Sequence, residues 1–515
     1  DLVISITGET DSMKTAIRCV HTEADPRQWH LATIPIHGIT KTIHCRIEAR
    51  PPQNTHSVNV PAVLIGSPMV ITGKQQTDPP VFAIVIDSLR ARDLGAYGSP
   101  LATSPALDRF SQGAITYFHA VASSSWTMPS VRNIMCGRYT NRFAREGENI
   151  YHVNERLRLI QSECAHNGRI TVLISANHLI TEDRGFDQGF TIFDTYAATH
   201  WKQGSTPAIW DRIARHLEAT EGLPVLFYIH MMDPHDPYLP EPPFDAIFNP
   251  PPDTCVRPSL HGRETGHLNF AETGNRESLL TEIEKAYLHR YYCGEIRQVD
   301  AMMQAFFRKL HALDMLRNSL IFVTSDHGEE FGEHGFYQHG KTLYEEAIHV
   351  PLFIRFQETP GIDRIHPFPV STIDIPATVR SLFGWQPDPE GEGTDIRRIA
   401  RDGTSPTVYS ILHHRTSKPS SNHSLWRAAF RNNRKIMWTR STGYHCIDLA
   451  RSPSETDFIR MSQFDEFHRS SAMASWRHLA HDLTIFMDHE LVLQDDYPVA
   501  EPAFTHKLQQ LGYIQ

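Results

Sequence analysis

The feature that most narrows the fold is a set of continuous apolar runs that stop abruptly at polar clusters. Val81-Phe-Ala-Ile-Val-Ile86 holds six apolar residues in a row without alternation, the pattern of a strand buried on both faces. Similar runs recur at Ile170–Ser175, Pro224–Ile229 and Ser319–Thr324. Helix-like stretches lie between them, Ser278–Leu313 being the clearest. Strands alternating with helices predict an α/β sandwich. In such sheets ligands bind beyond the carboxyl ends of the strands. Three of the runs end at Asp87-Ser88, His230–His235 and Ser325–Gly328, so a site is expected where those ends meet.

The flanks read differently. Leu2–Thr7, Trp29–Ile36 and Thr42–Ala49 are rich in Ile, Val, Thr and His, which predicts short strands of an N-terminal β-domain over residues 1–76. No ligand-type cluster occurs there, so an accessory or interface role, including a homo-oligomer contact, is expected. A catalytic α/β region is expected over 77–398. From 399 to 515 a smaller α+β subdomain follows, with strands at Trp426–Phe430 and Lys435–Trp438 before helical residues. Several domains suit 515 residues.

Composition removes whole function classes. The formal net charge is −10 with no dense Lys/Arg block, which excludes a protein that coats nucleic acid. No apolar run approaches the roughly 18–20 residues of a transmembrane helix. Seven cysteines without a CxxC pair exclude a zinc ribbon or a dense disulfide framework. The chain starts at Asp1 without Met and without a signal-peptide pattern. Removal of a leader would make it periplasmic or secreted, and otherwise it would be cytoplasmic. Histidine stands out at 31 copies, more than the 29 glycines, and it is both the commonest metal ligand and the near-neutral acid/base.

Four clusters carry chemistry. Asp87 ends the first apolar run; alone it would be an ordinary turn or cap residue. Thr127-Met-Pro-Ser130 reads as a helix start with Pro in its first turn. A hydroxyl there faces free amides and the positive end of the helix dipole, as a nucleophile attacking an anionic centre would need. Ser124, Ser125 and Ser130 are the competing hydroxyls, expected to serve as caps. Asp326-His327-Gly328 offers an oxygen and an imidazole to one cation, a pair that suits zinc or manganese. The same stretch continues to His339-Gly-Lys341. Finally, His230-Met-Met-Asp233-Pro-His235-Asp-Pro-Tyr238 fixes His and Asp between prolines, rigid as a ligand or a transition-state donor must be.

In this order the clusters resemble the sulfatase-like branch of the alkaline phosphatase superfamily. The landmarks are Asp87-Ser-Leu-Arg90 with Leu94-Gly-Ala-Tyr-Gly98, Thr127-Met-Pro-Ser130 with Cys136-Gly-Arg-Tyr139, Gly294–Asp300, Ser325–Gly328, and Gly340–Glu346 leading to Val350-Pro-Leu352. The resemblance implies an alkaline-phosphatase-like α/β/α sandwich. It implies a divalent metal (zinc, manganese or calcium) held by Asp87, Asp326 and His327 together with Thr127, the nucleophile. His235 would contact the substrate oxyanion or leaving group, Lys341 the transferred group, and His178 would be a further substrate-side histidine. His339, twelve positions after His327 as in phosphoethanolamine transferases, would join His235 in holding a second metal or the substrate phosphate.

Three departures refine that reading. Sulfatases carry Cys or Ser in a C/S-x-P-x-R motif that becomes formylglycine, whereas here Thr127 takes that place, Val131 the Arg position, and Arg132 comes one residue late. Ser88 stands where a second Asp is usual, and His327 where Asn is frequent. The expected activity is therefore hydrolysis of a phosphoric or sulfuric ester through an unmodified Thr127, with phosphodiesters or phosphonate esters favoured. The substrate would be a small molecule, a glycan or a lipid-headgroup ester. The alternatives are a sulfatase working without formylglycine, a transferase of a phospho-substituent, and a non-catalytic binding protein on the same fold.

Overall fold

The computed structural model describes residues 2–8, 15–19, 43–49, 78–139, 152–195, 197–198, 205–248, 280–356, 365–403, 406–414, 424–439, 441–463 and 471–488. Two compact units divide the chain: Asp1–Thr77 with Arg215–Gly222, and Asp78–Ala214 with Leu223–Gln515. In the first unit, β1 (Leu2–Gly8), β2 (Thr15–Cys19) and β3 (Ile43–Ala49) form an antiparallel sheet in the order β2-β1-β3. Two expected strands fall within β1 and β3, and the third, Trp29–Ile36, lies outside the described residues.

The second unit is built on a nine-stranded sheet. Its members are β4 (Val81–Ile86), β5 (Ile115–Val121), β6 (Ile170–Ser175), β7 (Ile192–Asp194), β8 (Val225–Met231) and β9 (Leu320–Thr324). A small hairpin, β10 (Glu330–Phe331) with β11 (Tyr337–Gln338), stands apart before β12 (His349–Val350), β13 (Leu352–Arg355) and β14 (Ile365–Ser371) complete the sheet. The order is β12-β5-β13-β9-β4-β8-β6-β7, with β14 parallel to β5. Every residue of β4, β6, β8 and β9 is buried, as unbroken apolar runs require. These four strands run parallel, so their carboxyl ends share one edge of the sheet. The register Val85↔Thr324 brings Asp87 and Asp326 to that edge from positions 239 residues apart, and Ile86↔Met231 brings the His230 region alongside.

The long helix Glu282–Ala312 sits inside the expected stretch and opens with a capping box. Thr281 Oγ1 accepts from Glu284 N, and the Glu284 carboxylate accepts from Thr281 N at 2.8 Å. Toward the end of the chain, β15 (Val408–His414), β16 (Ser424–Arg431), β17 (Arg434–Thr439), β18 (Gly443–Asp448) and β19 (Ile459–Met461) form an antiparallel meander. Side-chain alternation splits its two faces. Ala428, Phe430, Met437 and Ile447 join the core of the large sheet, while Ala429, Ile436 and Cys446 pack with Trp476, Leu479 and Leu483 around the helix Arg477–Asp488.

Candidate functional site

Two carboxylates form the floor of the site. Asp87 and Asp326 are fully buried, each one or two residues past the end of its strand. Asp326 Oδ1 accepts from the backbone N–H of His327 at 2.9 Å and of Ser88 at 3.3 Å, which leaves Oδ2 without a hydrogen-bond partner among the described residues. Asp87 Oδ2 accepts from the Asn177 amide at 2.6 Å, and its Oδ1 from Ser88 Oγ at 3.2 Å. Ser88 makes both contacts from a left-handed backbone (φ 59°), a conformation that a non-glycine residue keeps only where its surroundings hold it. Burial, and then the Asp326 charge, raise the Asp87 pKa. Burial pushes Asp326 upward too, but the His327 and His230 imidazoles outweigh it and hold that carboxyl well below the usual range. Two desolvated carboxylates this close cannot both ionise without a nearby cation.

Thr127 is the first residue of the helix Thr127–Cys136 and is completely buried. Its Oγ1 lies 3.3 Å from His327 Nε2. That same nitrogen is 3.4 Å from Asp87 Oδ1 and 3.5 Å from Asp326 Oδ2, so the four residues named from the sequence do converge. His327 is oriented by its other nitrogen, Nδ1, against the Gly328 carbonyl at 2.9 Å. The neighbouring serines do not behave as expected. Trp126 is the N-cap and no side chain caps the helix, so Ser124 and Ser125 are not caps. Their hydroxyls are buried and meet no hydrogen-bond partner among the described residues, while Ser130 Oγ donates to the Ser124 carbonyl at 2.9 Å. Arg132 reaches the His152 carbonyl at 3.2 Å, and Val131, in the position where an arginine is usual, is core.

Two further imidazoles close the wall. His339 is packed with its ring centroid 4.4 Å from that of His327 and 4.7 Å from that of His235. The Glu329 carboxylate accepts from His339 Nδ1 at 3.1 Å, and the Asp236 carbonyl accepts from His235 Nδ1 at 2.6 Å. Those contacts orient both rings from their Nδ1 side. Burial pushes the Glu329 pKa up to about 7, and burial with the facing His327 and His235 pushes His339 down. Lys341 Nζ donates to the Tyr337 carbonyl at 2.8 Å and sits in the field of Glu330 and Glu329, with burial lowering its pKa. The contact that ties the β6 end to the carboxylates runs through Asn177 rather than the adjacent His178.

Two members of the cluster were missed by sequence reasoning: Asn177 and Glu329. They adjoin residues that were singled out, but nothing in their spacing marks them. Sequence reasoning puts His230 at the head of the polar cluster after Ile229 without a ligand role, and the structure puts it inside β8. The donor set fits a divalent cation. Asp87, His230 and Asp326 each offer one ligand atom within 4.8 Å of one another, all buried. A second cation at His235 and His339 finds no third ligand among the described residues. The other three-ligand group, Asp93, His289 and Cys293, is engaged as an ion-pair network. Its Asp93 lies 2.9 Å from Arg90 Nε and 3.0 Å from His289 Nε2.

Comparison with known proteins places this geometry in context. The model of the Sulfatase family matches residues 79–385. The ulvan-active sulfatase of Formosa agariphila is 23% identical over 358 residues, covering 64% of this chain and 66% of that protein. The multifunctional alkaline phosphatase superfamily protein PehA of Trinickia caryophylli is 23% identical over 223 residues, 40% of this chain and 43% of its own length. Against both relatives, then, the chain spans less than two thirds of their length. Among solved structures, the phosphonate monoester hydrolase of Agrobacterium radiobacter superposes with a TM-score of 0.62 at 18% identity, over 82% of this chain and 99% of that one. The mixed α/β fold with its large central sheet is common to them.

Proposed function

The chain belongs to the sulfatase family, and on that footing we propose that it is a metal-dependent ester hydrolase in which unmodified Thr127 is the nucleophile. The observation that carries the reading is the 3.3 Å separation of Thr127 Oγ1 from His327 Nε2, in one buried layer with Asp87 and Asp326. A divalent cation bound by Asp87, Asp326 and His327 would lower the pKa of the Thr127 hydroxyl and offset charge on the nonbridging oxygens. Thr127 Oγ1 bonds to the phosphorus or sulfur as the bond to the ester oxygen breaks, giving a covalent intermediate on threonine. The start of the helix Thr127–Cys136, the positive end of its dipole, would face the same anion. His235 and His339, their Nδ1 atoms engaged, would steady the transferred group and the leaving oxygen. Glu329 fixes the His339 tautomer. Water then displaces the group from Thr127 and restores the hydroxyl.

Phosphodiesters and phosphonate monoesters are favoured over sulfate esters. A threonine ester has to be hydrolysed at phosphorus or sulfur, whereas a formylglycine intermediate releases sulfate by cleavage of its own C–O bond, and Thr127 offers no such route. The similarity to a phosphonate monoester hydrolase supports that preference, and the similarity to an ulvan-active sulfatase supports a sulfated glycan as the second reading. The test is one panel: protein loaded with zinc, manganese or calcium and given aryl phosphate monoester, phosphodiester, phosphonate and sulfate substrates. Turnover of the diester or phosphonate that disappears in Thr127→Ala supports the reading. Efficient turnover of the sulfate alone would reverse the preference, and no turnover with any metal would favour the non-catalytic alternative.

A further inference from the structure

His230 occupies a chemically uncomfortable place. It lies on β8 one residue before the strand ends, fully buried, and neither ring nitrogen has a hydrogen-bond partner among the described residues. A buried polar group without a hydrogen-bond partner is destabilising, so such a group in a well-packed core calls for a ligand. Its Nε2 sits 3.6 Å from Asp87 Oδ2 and 3.7 Å from Asp326 Oδ2. Those separations exceed the roughly 2.7–3.2 Å of a hydrogen bond. They lie close to the edge of a tetrahedral ligand shell, roughly 3.3–3.6 Å for metal–ligand bonds of about 2.0–2.2 Å. Asp326 Oδ2, the atom facing His230, has no hydrogen-bond partner among the described residues, whereas Asp326 Oδ1 is occupied by two backbone amides. A carboxylate with one oxygen engaged and one open, facing an open imidazole nitrogen, is the arrangement of two ligands prepared for one ion.

We infer that His230 is a direct ligand of the cation held at Asp87 and Asp326, and that the site selects a transition-metal ion such as zinc over calcium. The inference rests on the metal-dependent reading of this site. His230 then joins the two carboxylates in one ligand group, and His327 Nε2 lies 3.4 Å from Asp87 Oδ1 and 3.5 Å from Asp326 Oδ2. Calcium takes 6–8 oxygen ligands, whereas imidazole suits zinc and its neighbours. The strand fixes the His230 ring from below the carboxylates, since β8 pairs with β4 and β6 on either side through Val85↔His230 and Ser175↔His230. Its Nδ1 has no hydrogen-bond partner among the described residues, so the backbone and the packing of β8 hold the ring.

The full chain, stripped with a chelator, is titrated with zinc and separately with calcium in competition with a chromophoric indicator, with no substrate present. His230→Asn should weaken zinc by about tenfold or more while changing calcium affinity less than twofold, and free imidazole should restore part of the zinc affinity of His230→Ala. Unchanged zinc affinity in His230→Asn, with Asp326→Ala losing it, overturns the inference and leaves the metal reading intact. Zinc binding that survives Asp326→Ala overturns the metal reading itself. If the His230 variants do not fold, copper-loaded wild-type protein examined by electron-spin-echo modulation decides the matter: two coordinated imidazoles support the inference and one refutes it.

Discussion

Lys435 is the residue whose removal should cost this fold most. It is on β17 with no exposed surface, its Nζ 2.7 Å from Glu455 Oε1 and 3.1 Å from Glu345 Oε1. Burial disfavours the ammonium, but the two carboxylates outweigh that and keep it charged. Glu345 also meets His119 Nε2 at 3.3 Å, and Glu455 accepts from the Glu345 backbone N–H at 2.6 Å. Lys435→Met keeps the volume and removes the charge that both carboxylates share. Breaking one member of a buried ion pair costs about 3–5 kcal/mol, and the remaining His119 and backbone contacts place this variant toward the lower end of that range. The triple variant with Glu455→Gln and Glu345→Gln removes the stranded charges and should recover most of the loss, because replacing a whole buried ionic group is often close to neutral. Urea denaturation of the full chain, followed by tryptophan fluorescence, reads both. A loss under about 1 kcal/mol in Lys435→Met, or a triple variant no more stable than the single one, would refute the reasoning.

Other outcomes follow from the same geometry. Asp374 is buried, accepts two backbone N–H bonds at 2.7 Å, and has its pKa pushed up by burial from 3.8 to about 7. Between those values the unfolded chain binds fewer protons, so stability falls as pH rises, by about 1.4 kcal/mol per unit. Asp374→Asn should flatten that part of a stability–pH curve, and an unchanged slope between pH 4 and 7 would count against it. A Cβ at Gly328 would overlap the Glu346 carbonyl oxygen, so Gly328→Ala should displace His327 and reduce metal content and turnover together, read by metal analysis of the purified variant. Glu329→Gln removes the carboxylate that holds His339 Nδ1 and should lower kcat by about 10–100-fold with little change in KM, as loss of an orienting partner does; a change confined to KM would assign Glu329 to substrate binding.

Sequence reasoning reached the strands and stopped at what the strands bring together. Val81–Ile86 and Ile170–Ser175 are strands with the expected bounds because an unbroken apolar run has few other homes in an α/β chain. The run from Pro224 begins one residue later in the structure, at Val225, and Pro224 lacks the N–H that a ladder position would use. The Thr127, Asp87, Asp326 and His327 convergence was visible because each lies at the end of a readable element. His230 was legible as the start of the polar cluster after Ile229, but its place beside both carboxylates was not, since the sequence gives no sign of which neighbour its ring will meet. That depends on strand order, and β8 lies beside β4 only because the crossovers place it there. Asn177 and Glu329 are invisible for the same reason, acting on Asp87 and His339 across 90 and 10 residues of sequence. The serines before Thr127 illustrate the opposite failure. Their type favours capping, but Trp126 takes the cap position and leaves Ser124 and Ser125 buried just before Thr127.

The claim on which everything turns is that Thr127 itself becomes covalently loaded. Zinc- or manganese-loaded protein is mixed with an aryl phosphodiester or phosphonate, quenched in acid within the first turnover, and digested for peptide mass spectrometry. Ordinary threonine should be found at position 127 before mixing. After mixing, the peptide containing Thr127 should carry the transferred phospho-substituent, and no such adduct should form in Thr127→Ala. Turnover that proceeds in Thr127→Ala, or an adduct that maps to Ser124 or Ser125 instead, would contradict the claim.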